Sequence, residues 1–370
     1  MSRYIHLRKG WPEFTWDNEK LLPLVGVVRN LQGRLVGNME SVGFELRNEA
    51  TLEAITLEII KSSEIEGEIL KSEEVRSSLA RRLGLDRAGL IPSNRDVDGI
   101  VDLLVDAIEN HQLELTEERL FDWHLSLFPT GRSGMLKIIV GNWRDDSTGP
   151  MQVVSGAMGR ERVHFEAPSA ERIPDEVGDF LKWLNEEKNI DSVLKAGIAH
   201  LWFVTIHPFE DGNGRITRAL TDMLLTRSDG VAQRFYSMSS QIRLQRKGYY
   251  QILENTQRGG LDITEWLEWF LDCLMNALKA SAQIIGKVMT KHHFWLAHGD
   301  KSLNDRQRIM LNKLLDGFTG KLTTKKWSKI MKCSHDTALR DIKNLIELRI
   351  LRKEQSGGRS TSYELVEVQK

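Results

Sequence analysis

The stretch HPFEDGNGRITR at residues 207–218 decides how this chain is interpreted, because it interrupts a sequence that otherwise has mostly helical spacing. An apolar helical pattern ends at Ile206, one proline and two glycines break the periodicity, and a second helical pattern begins near Gly214. The stretch therefore predicts a tight helix–loop–helix connection. The 3–4-residue apolar spacing predicts a mainly α-helical protein, with helices over residues 48–70, 96–110, 116–127, 175–187, 192–206, 214–227, 246–257 and 264–291.

The loop between these two helices has the composition of an anion site. Backbone N–H groups of Gly212, Asn213 and Gly214 would converge at the positive end of the second helix. Arg215 and Arg218, three residues apart, lie on one helical face and can each bind phosphate oxygens through two N–H groups. The pattern therefore predicts a ligand that carries phosphate.

Two further side chains of the loop indicate chemistry rather than binding alone. Asp211 would repel a phosphate unless Mg²⁺ lay between them, so its presence implies the metal. His207 is the group able to accept a proton near neutral pH. One alternative is a polar interhelical turn with a capping role. A His207/Asp211 metal pair is another, but Pro208 disrupts the helical face and no third ligand is nearby. The whole set favours phosphoryl chemistry.

The same stretch resembles the signature HPFx(D/E)GN(G/K)RxxR of Fic-domain proteins and matches it at every specified position. The resemblance implies a helical Fic core over about residues 116–274. It also implies a protein adenylyltransferase, which moves AMP from ATP to a Ser, Thr or Tyr hydroxyl of a target protein, or of the chain itself, and releases pyrophosphate. Gly214, where the phosphorylating branch has Lys, favours nucleotidyl transfer. CTP, GTP or phosphocholine as donor remains an alternative.

The resemblance also implies roles for the residues that match the signature. His207 would deprotonate the target hydroxyl and Asp211 would hold Mg²⁺. Asn213, with the amides of Gly212 and Gly214, would hold the α-phosphate, and Phe209 would fix the loop in the core.

Further implied roles concern the far end of the nucleotide. Arg215 and Arg218 would hold the distal phosphates. Tyr249 and Tyr250 resemble adenine-side residues of the family, although a core position is an equal alternative for either one.

A β-hairpin is predicted within this core. Residues 151–155 and 162–165 have strand patterns and flank a turn at residues 156–159 that contains glycine. In a Fic core this hairpin would be the flap, whose strand edge pairs with an extended target segment. Gln152 and Val153 are expected near the target. A purely structural hairpin is the alternative.

A second resemblance lies at SSEIEG, residues 62–67, which matches the inhibitory motif (S/T)xxxE(G/N) of self-inhibited Fic proteins. The match implies that Glu66 pairs with Arg218 and occupies the space of the γ-phosphate, with Ser62 on the same helical face. A solvated glutamate is the alternative. In related proteins this glutamate also helps to position a water that removes AMP, so removal is a second candidate activity.

The charge of the chain is unevenly divided. Residues 301–370 contain 16 Lys and Arg against 8 Asp and Glu, whereas residues 1–300 contain 35 against 44. Helical patterns at 324–331 and 335–349, followed by strands at 350–353 and 363–366, predict a winged helix-turn-helix with its tip at 356–359. It would contact DNA, or else dock a protein or a second copy of the chain as a homodimer. The candidate DNA contacts are Lys325, Lys326, Lys329, Arg340 and Arg359.

Composition bounds the remaining possibilities. With 41% hydrophobic and 28% charged residues, the chain differs from disordered, fibrous and membrane-spanning proteins. Cys273 and Cys333 lack the spacing of a disulfide framework or a zinc site and are expected to be buried.

The expected domains are a helical N-terminal domain with the inhibitory helix (1–95), the Fic core (96–296) and the winged helix (297–370). The expected location is the cytoplasm. The competing interpretation is a nucleotide-sensing DNA-binding regulator whose Fic site mainly modifies the chain itself.

Overall fold

The structure is a computed structural model that describes residues 4–40, 43–85, 91–147, 149–156, 160, 162–318, 320–354 and 361–366. Its helices are α1 (Asn18–Glu40), α2 (Phe44–Ile65), α3 (Ser72–Arg82), α4 (Arg95–Glu109), α5 (Glu117–Leu127), α6 (Ile173–Glu186), α7 (Ser192–Ile206), α8 (Asn213–Asp229), α9 (Met238–Leu244), α10 (Arg246–Gln257), α11 (Thr264–His298), α12 (Asp305–Leu315), α13 (Thr324–Ile330) and α14 (His335–Glu347). Its strands are β1 (Arg132–Ser133), β2 (Leu136–Lys137), β3 (Gln152–Ser155), β4 (Arg162–Glu166), β5 (Leu322–Thr323), β6 (Leu351–Lys353) and β7 (Ser362–Leu365). The prediction of a mainly α fold is confirmed.

The end of α2 differs from the predicted helix 48–70. The helix stops at Ile65 because Gly67 adopts a left-handed conformation with φ +90°. The N–H of Gly67 then donates to the Glu64 carbonyl at 3.2 Å, and the N–H of Glu68 donates to the Ser63 carbonyl at 3.0 Å. These two bonds form a Schellman closure. Glu66 therefore lies just after the helix rather than within it.

The other predicted helices of the first 300 residues are present with small shifts at their ends, and α11 continues to His298. The sequence interpretation did not include α1, α3, α9 or α12. Of the helices in the described part of the chain, none is long and apolar enough to cross a membrane.

The chain forms two compact units, one extending to Ala282 and the other beginning at Gln283. The expected boundary between residues 1–95 and 96–296 falls at the start of α4, and α4 belongs to the first unit. There α3 packs against α4, and Arg82 pairs with Asp98 at 3.3 Å. The division into residues 1–95, 96–296 and 297–370 remains a prediction.

The α7–α8 pair forms the centre of the first unit. Nearly every residue of α7 is buried, as expected for a helix that is apolar on all sides. Gly197 allows α11 to approach α7 closely, since a Cβ at this position would lie 2.9 Å from Leu267. Because α7 and α8 are packed along their lengths, the short connection between them is held at both ends.

The predicted flap hairpin is present, with β3 antiparallel to β4 and a register shift between Val153 and Val154. Its inner face packs on the start of the chain, where the Tyr4 ring lies 5.2 Å from that of Phe165. Residues 157–159 of the predicted turn lie outside the described residues.

The second unit has a core around Trp327, Met310 and Ile342. It contains the helix–turn–helix α13–α14 and an antiparallel sheet of order β5-β7-β6. These elements occupy the positions predicted for a winged helix, whose assignment remains a prediction. The predicted tip 356–359, including Arg359, lies outside the described residues. Cys273 is buried, Cys333 is half-buried, and both are free thiols.

Candidate active site

The loop between α7 and α8 is closed by its own side chains. His207 has φ +51°, and its N–H donates to the Phe203 carbonyl at 3.1 Å, which ends α7. Phe209 is fully buried. The side-chain amide of Asn213 binds both main-chain groups of Phe209, accepting from its N–H at 3.0 Å and donating to its carbonyl at 2.7 Å. Asn213 therefore fixes the loop, and its predicted contact with an α-phosphate remains a prediction.

Two residues that the sequence interpretation missed hold this loop from outside. His124 of α5 stacks on Phe209 with ring centroids 4.2 Å apart, and its Nε2 lies 3.2 Å from the Asp211 carbonyl. Its Nδ1 accepts from the Gly141 N–H at 3.2 Å, so Nε2 carries the proton and donates. Burial lowers the pKa of His124 to about 4, which keeps this ring neutral.

The second of these residues is Arg144, whose guanidinium is buried. Its Nε donates to the His207 carbonyl at 2.8 Å, and its backbone N–H donates to the Pro208 carbonyl at 3.0 Å. The loop is thus fastened at its beginning by Arg144 and at Asp211 by His124.

The ring of His207 has the protonation state that a base requires. Nδ1 lies 3.2 Å from the Val204 carbonyl, which can only accept, so the ring proton resides on Nδ1 and Nε2 keeps its lone pair. Burial, together with the charge of Arg144, lowers the pKa of His207 to about 4. At neutral pH the ring is therefore uncharged and able to accept a proton.

The anion site is predicted at the start of α8, and that assignment remains a prediction, since the Gly212 N–H already donates to Asp211 at 2.6 Å. Within the described part of the chain, no side chain caps the first turn of α8. Gly212 has φ +82°, and a Cβ there would lie 2.8 Å from the Phe128 ring. A Cβ on Gly214 would lie 2.2 Å from Glu66 Oε1. Both glycines are thus required, one by the turn and one by the carboxylate that lies against the helix start.

The structure brings Arg218 together with the two residues predicted beside it, Glu66 and Ser62. Nη2 of Arg218 lies 2.7 Å from Glu66 Oε1, and its Nε donates to Ser62 Oγ at 2.8 Å. Burial acts to lower the pKa of Arg218 and Glu66 acts to raise it, and the net shift of the pKa is upward. Arg218 is 3% exposed at its side chain and Glu66 is 32% exposed. A buried cation is therefore neutralised by a partly accessible carboxylate.

Arg215 has a partner that was not predicted. Its Nη1 lies 3.0 and 2.8 Å from the two carboxylate oxygens of Glu68, and its guanidinium carbon lies 5.0 Å from the centre of the Phe128 ring. The sequence signal was the second glutamate in Glu66-Gly67-Glu68.

Asp211 lies beside these groups. One of its carboxylate oxygens accepts from the Gly212 N–H at 2.6 Å, and the other accepts from the Ser133 hydroxyl. In the described ranges, no three His, Cys, Asp or Glu side chains cluster as a ready metal site. A single carboxylate nevertheless fits Mg²⁺, which commonly takes one or two protein carboxylates and completes its shell with phosphate oxygens and water.

The two tyrosines of α10 have different environments. Tyr249 is 2% exposed, and its hydroxyl lies 2.9 Å from Nε2 of the buried His200, so it occupies the core position that the sequence left as an alternative. Tyr250 is 37% exposed and stacks with Arg246 at 5.1 Å. A contact with adenine remains a prediction, for which Tyr250 has the accessible ring.

The two predicted flap residues, Gln152 and Val153, have different environments in the hairpin. Gln152 donates to Glu166 at 2.8 Å, and Val153 packs toward Tyr4 and Phe165. A role in target docking therefore depends on the main chain of β3 and remains a prediction. Strand β4 is attached to α10, since His164 Nδ1 lies 2.6 Å from Glu254.

Comparison with known proteins places this geometry in context. Residues 114–225 match the Fic/DOC family. This Fic/DOC segment contains His124, Arg144 and the whole 207–218 loop. Residues 4–85, which contain Glu66 and Glu68, match a domain of unknown function, DUF4172. The contacts of Arg215 and Arg218 with the end of α2 thus join the two matched segments.

Curated relatives of the Fic/DOC segment are named as protein adenylyltransferases. A probable protein adenylyltransferase of Aquifex aeolicus is 33% identical over 113 residues, covering 29% of this chain and 35% of the relative. Protein adenylyltransferase Fic of Drosophila erecta is 27% identical over 273 residues, covering 68% of this chain and 48% of the relative. The chain thus spans less than half the length of these relatives.

A solved structure described as a Fic family protein from Desulfovibrio desulfuricans has the same fold. It superposes with a TM-score of 0.53 at 22% identity, covering 95% of this chain and 97% of that one.

Proposed function

We propose that this chain is a protein adenylyltransferase, which transfers AMP from ATP to a Ser, Thr or Tyr hydroxyl and releases pyrophosphate. The observation that carries the proposal is an uncharged His207 at the end of α7, with Nε2 unprotonated, next to the loop that leads into α8 with its Arg215 and Arg218. The names of the curated relatives support the same reaction.

The proposed step uses groups that are already in position. Nε2 of His207 accepts the hydroxyl proton while the oxygen bonds to the α-phosphorus and the bond from that phosphorus to the pyrophosphate oxygen breaks. Arg144 and the Val204 carbonyl keep the ring oriented. Asp211 would hold Mg²⁺, which when bound supplies positive charge to the phosphates.

The same geometry supports autoinhibition by Glu66. An ATP whose γ-phosphate binds Arg218 must first displace Glu66 and Ser62. Separating a buried ion pair costs roughly 3–5 kcal/mol, and the partial exposure of Glu66 favours the lower end of this range. Glu66 is therefore expected to weaken ATP binding on the order of 100-fold. Whether it also helps to remove AMP is a further part of the proposal.

The test is label transfer from ATP labelled at the α-phosphorus, with wild type and Glu66→Gly in a cell lysate. The proposal expects protein-bound label that increases strongly in Glu66→Gly. Equal labelling by both proteins would refute the inhibitory role. If GTP, CTP or a phosphocholine donor, each labelled on the transferred group, gave protein-bound label and ATP did not, that donor would replace ATP as the proposed substrate. Label found only on the chain itself would favour the self-modifying regulator.

The second unit suggests a further binding activity. Lys325, Lys326 and Lys329 on α13 and Arg340 on α14 are exposed, in a region with an excess of positive charge. We propose that they contact duplex DNA phosphates. Retention of the full chain on duplex DNA should fall with salt, and Lys329→Glu should reduce the slope by about one ion. Retention that does not change with salt would leave protein docking, including homodimer formation, as the role of this unit.

A further inference from the structure

The end of α2 places two carboxylates, not one, on the cationic pair of α8. We propose that Glu68 is a second inhibitory residue, which occupies Arg215 as Glu66 occupies Arg218. The inference rests on the proposed function, because it takes from it the assignment of both arginines to the distal phosphates of ATP. We call Glu66 and Glu68 together the carboxylate lock.

The environment of Arg215 explains why it needs an anion. The side chain is 7% exposed, and Phe128 covers one face of its guanidinium. Its Nε is buried and has no hydrogen-bond partner among the described residues. Both carboxylate oxygens of Glu68 contact the same nitrogen, Nη1, so Glu68 supplies the charge-assisted contact of this guanidinium without the two-nitrogen fork of the strongest such pairs. When Glu68 is absent, a buried charge is left unpaired, so a phosphate becomes the preferred replacement.

The Glu68 side of the lock is the more easily opened one. The side chain of Glu68 is 49% exposed, against 32% for Glu66, and it can rotate into water without moving the backbone. Half-exposed ion pairs are weak, with coupling that corresponds to a few-fold change in an equilibrium constant. We therefore assign Glu68 a graded effect and Glu66 the larger one.

One backbone turn sets both carboxylates. Glu66 is the last residue before Gly67, and the N–H of Glu68 closes the Schellman turn on Ser63 at 3.0 Å. Because the two glutamates flank a single left-handed glycine, a displacement of this turn moves both away from α8.

The lock distinguishes nucleotides by their phosphate number. ATP must displace both glutamates to bring its distal phosphates to Arg215 and Arg218. AMP has no distal phosphate and needs neither arginine. Removing the lock should therefore strengthen the binding of ATP and leave the binding of AMP nearly unchanged.

The experiment is calorimetric titration of the full chain with ATP and with AMP, both in the presence of Mg²⁺. Glu68→Gln should tighten ATP binding about 5-fold, and Glu66→Gly/Glu68→Gln should exceed Glu66→Gly by about the same factor. Glu64→Gln is the matched control: it removes a carboxylate of the same turn that pairs with Lys61 at 2.7 Å and with Arg243 at 3.5 Å. It should leave the affinity for ATP unchanged.

Three outcomes would overturn the inference. They are a double variant that binds ATP no more tightly than Glu66→Gly, a Glu64→Gln variant that matches Glu68→Gln, and an affinity for AMP that rises in parallel with that for ATP. Thermal unfolding of each variant checks that it is folded, and Glu68→Ala repeats the measurement if Glu68→Gln is not. ATP binding is measured without a target protein, so it does not depend on AMP transfer. If the lock variants bind ATP more tightly as expected but the chain transfers no AMP, only the proposed reaction is refuted. If Glu66→Gly transfers AMP but Glu68→Gln has the same affinity for ATP as wild type, only the role of Glu68 in the lock is refuted.

Discussion

The loop between α7 and α8 and the turn at the end of α2 meet at the same arginines but are stabilised in different ways. The loop is held by buried groups: Asn213 on the Phe209 main chain, and neutral His124 on the Asp211 carbonyl. The turn is held on α8 by ion pairs whose carboxylates are partly exposed. Buried neutral bonds fix geometry, whereas exposed ion pairs exchange with solvent and with other anions. If the proposed function holds, the geometry of the loop is fixed, while the access of ATP to Arg215 and Arg218 is adjustable.

The largest expected effect concerns the loop between α7 and α8. In a Glu66→Gly background, His207→Ala should lower the rate of AMP transfer by about 10²–10⁴, because it removes the proton acceptor. ATP affinity should change little, since Arg215 and Arg218 are retained. Initial rates and titrations measure the two quantities, and His335→Ala, an exposed histidine of the second unit, is the control. A rate within a factor of three of the parent would remove His207 from its role as base.

Acid should destabilise the buried groups around the loop between α7 and α8. Burial lowers the pKa of His124 to about 4 and that of His200 to about 3, from an ordinary value of 6.5. The unfolded chain therefore binds protons below pH 6.5 that the folded chain excludes, so the stability present above this pH is lost as the pH falls toward 4. The two histidines should contribute about 3 kcal/mol per pH unit.

Urea unfolding between pH 7 and pH 5 measures this loss. His200→Gln should reduce the slope of unfolding free energy against pH by about one proton relative to the parent protein. An unaltered slope in His200→Gln would mean that this ring is already protonated in the folded protein.

A smaller effect is expected from His124→Phe, which keeps an aromatic ring against Phe209 but removes two hydrogen bonds. The Gly141 N–H and the Asp211 carbonyl would lose their partner, at a cost of about 1–3 kcal/mol in unfolding free energy. Denaturant unfolding measures the change. A variant as stable as the parent would show that packing alone fixes Asp211.

The sequence predicted those parts of the site whose residues are close in the chain. The 207–218 loop is one such part, because the break in helical spacing and all of its charged groups lie within one short segment. His124 and Arg144 could not be placed in this way, since they lie 87 and 63 residues from the groups they bind. Nothing in the residue types of such distant positions specifies a pairing.

The end of α2 shows a different limit of sequence interpretation. The apolar spacing of its helix extends past Gly67, so a helix to residue 70 was predicted, but a left-handed glycine closes the helix through main-chain bonds that leave no apolar pattern. With the helix continued, Glu68 would have pointed away from Glu66 by two helical positions. Its contact with Arg215 therefore became visible only in the structure.

The smallest effect is expected from Gly67→Ala, in the turn at the end of α2. Space is not the obstacle, because a Cβ at Gly67 would have no neighbour within 4 Å, but φ +90° strains any residue with a side chain by about 1 kcal/mol. Relaxation of the turn should draw Glu66 and Glu68 from α8 and tighten ATP binding about 5-fold. Gly33→Ala is the matched control, since Gly33 is exposed within α1 and has no such neighbour either. It should instead stabilise the fold by about 0.5–1 kcal/mol and leave ATP binding unchanged. If Gly67→Ala lowered stability without any gain in ATP affinity, the turn would be a structural stop only, and the two glutamates would be held on α8 independently of it.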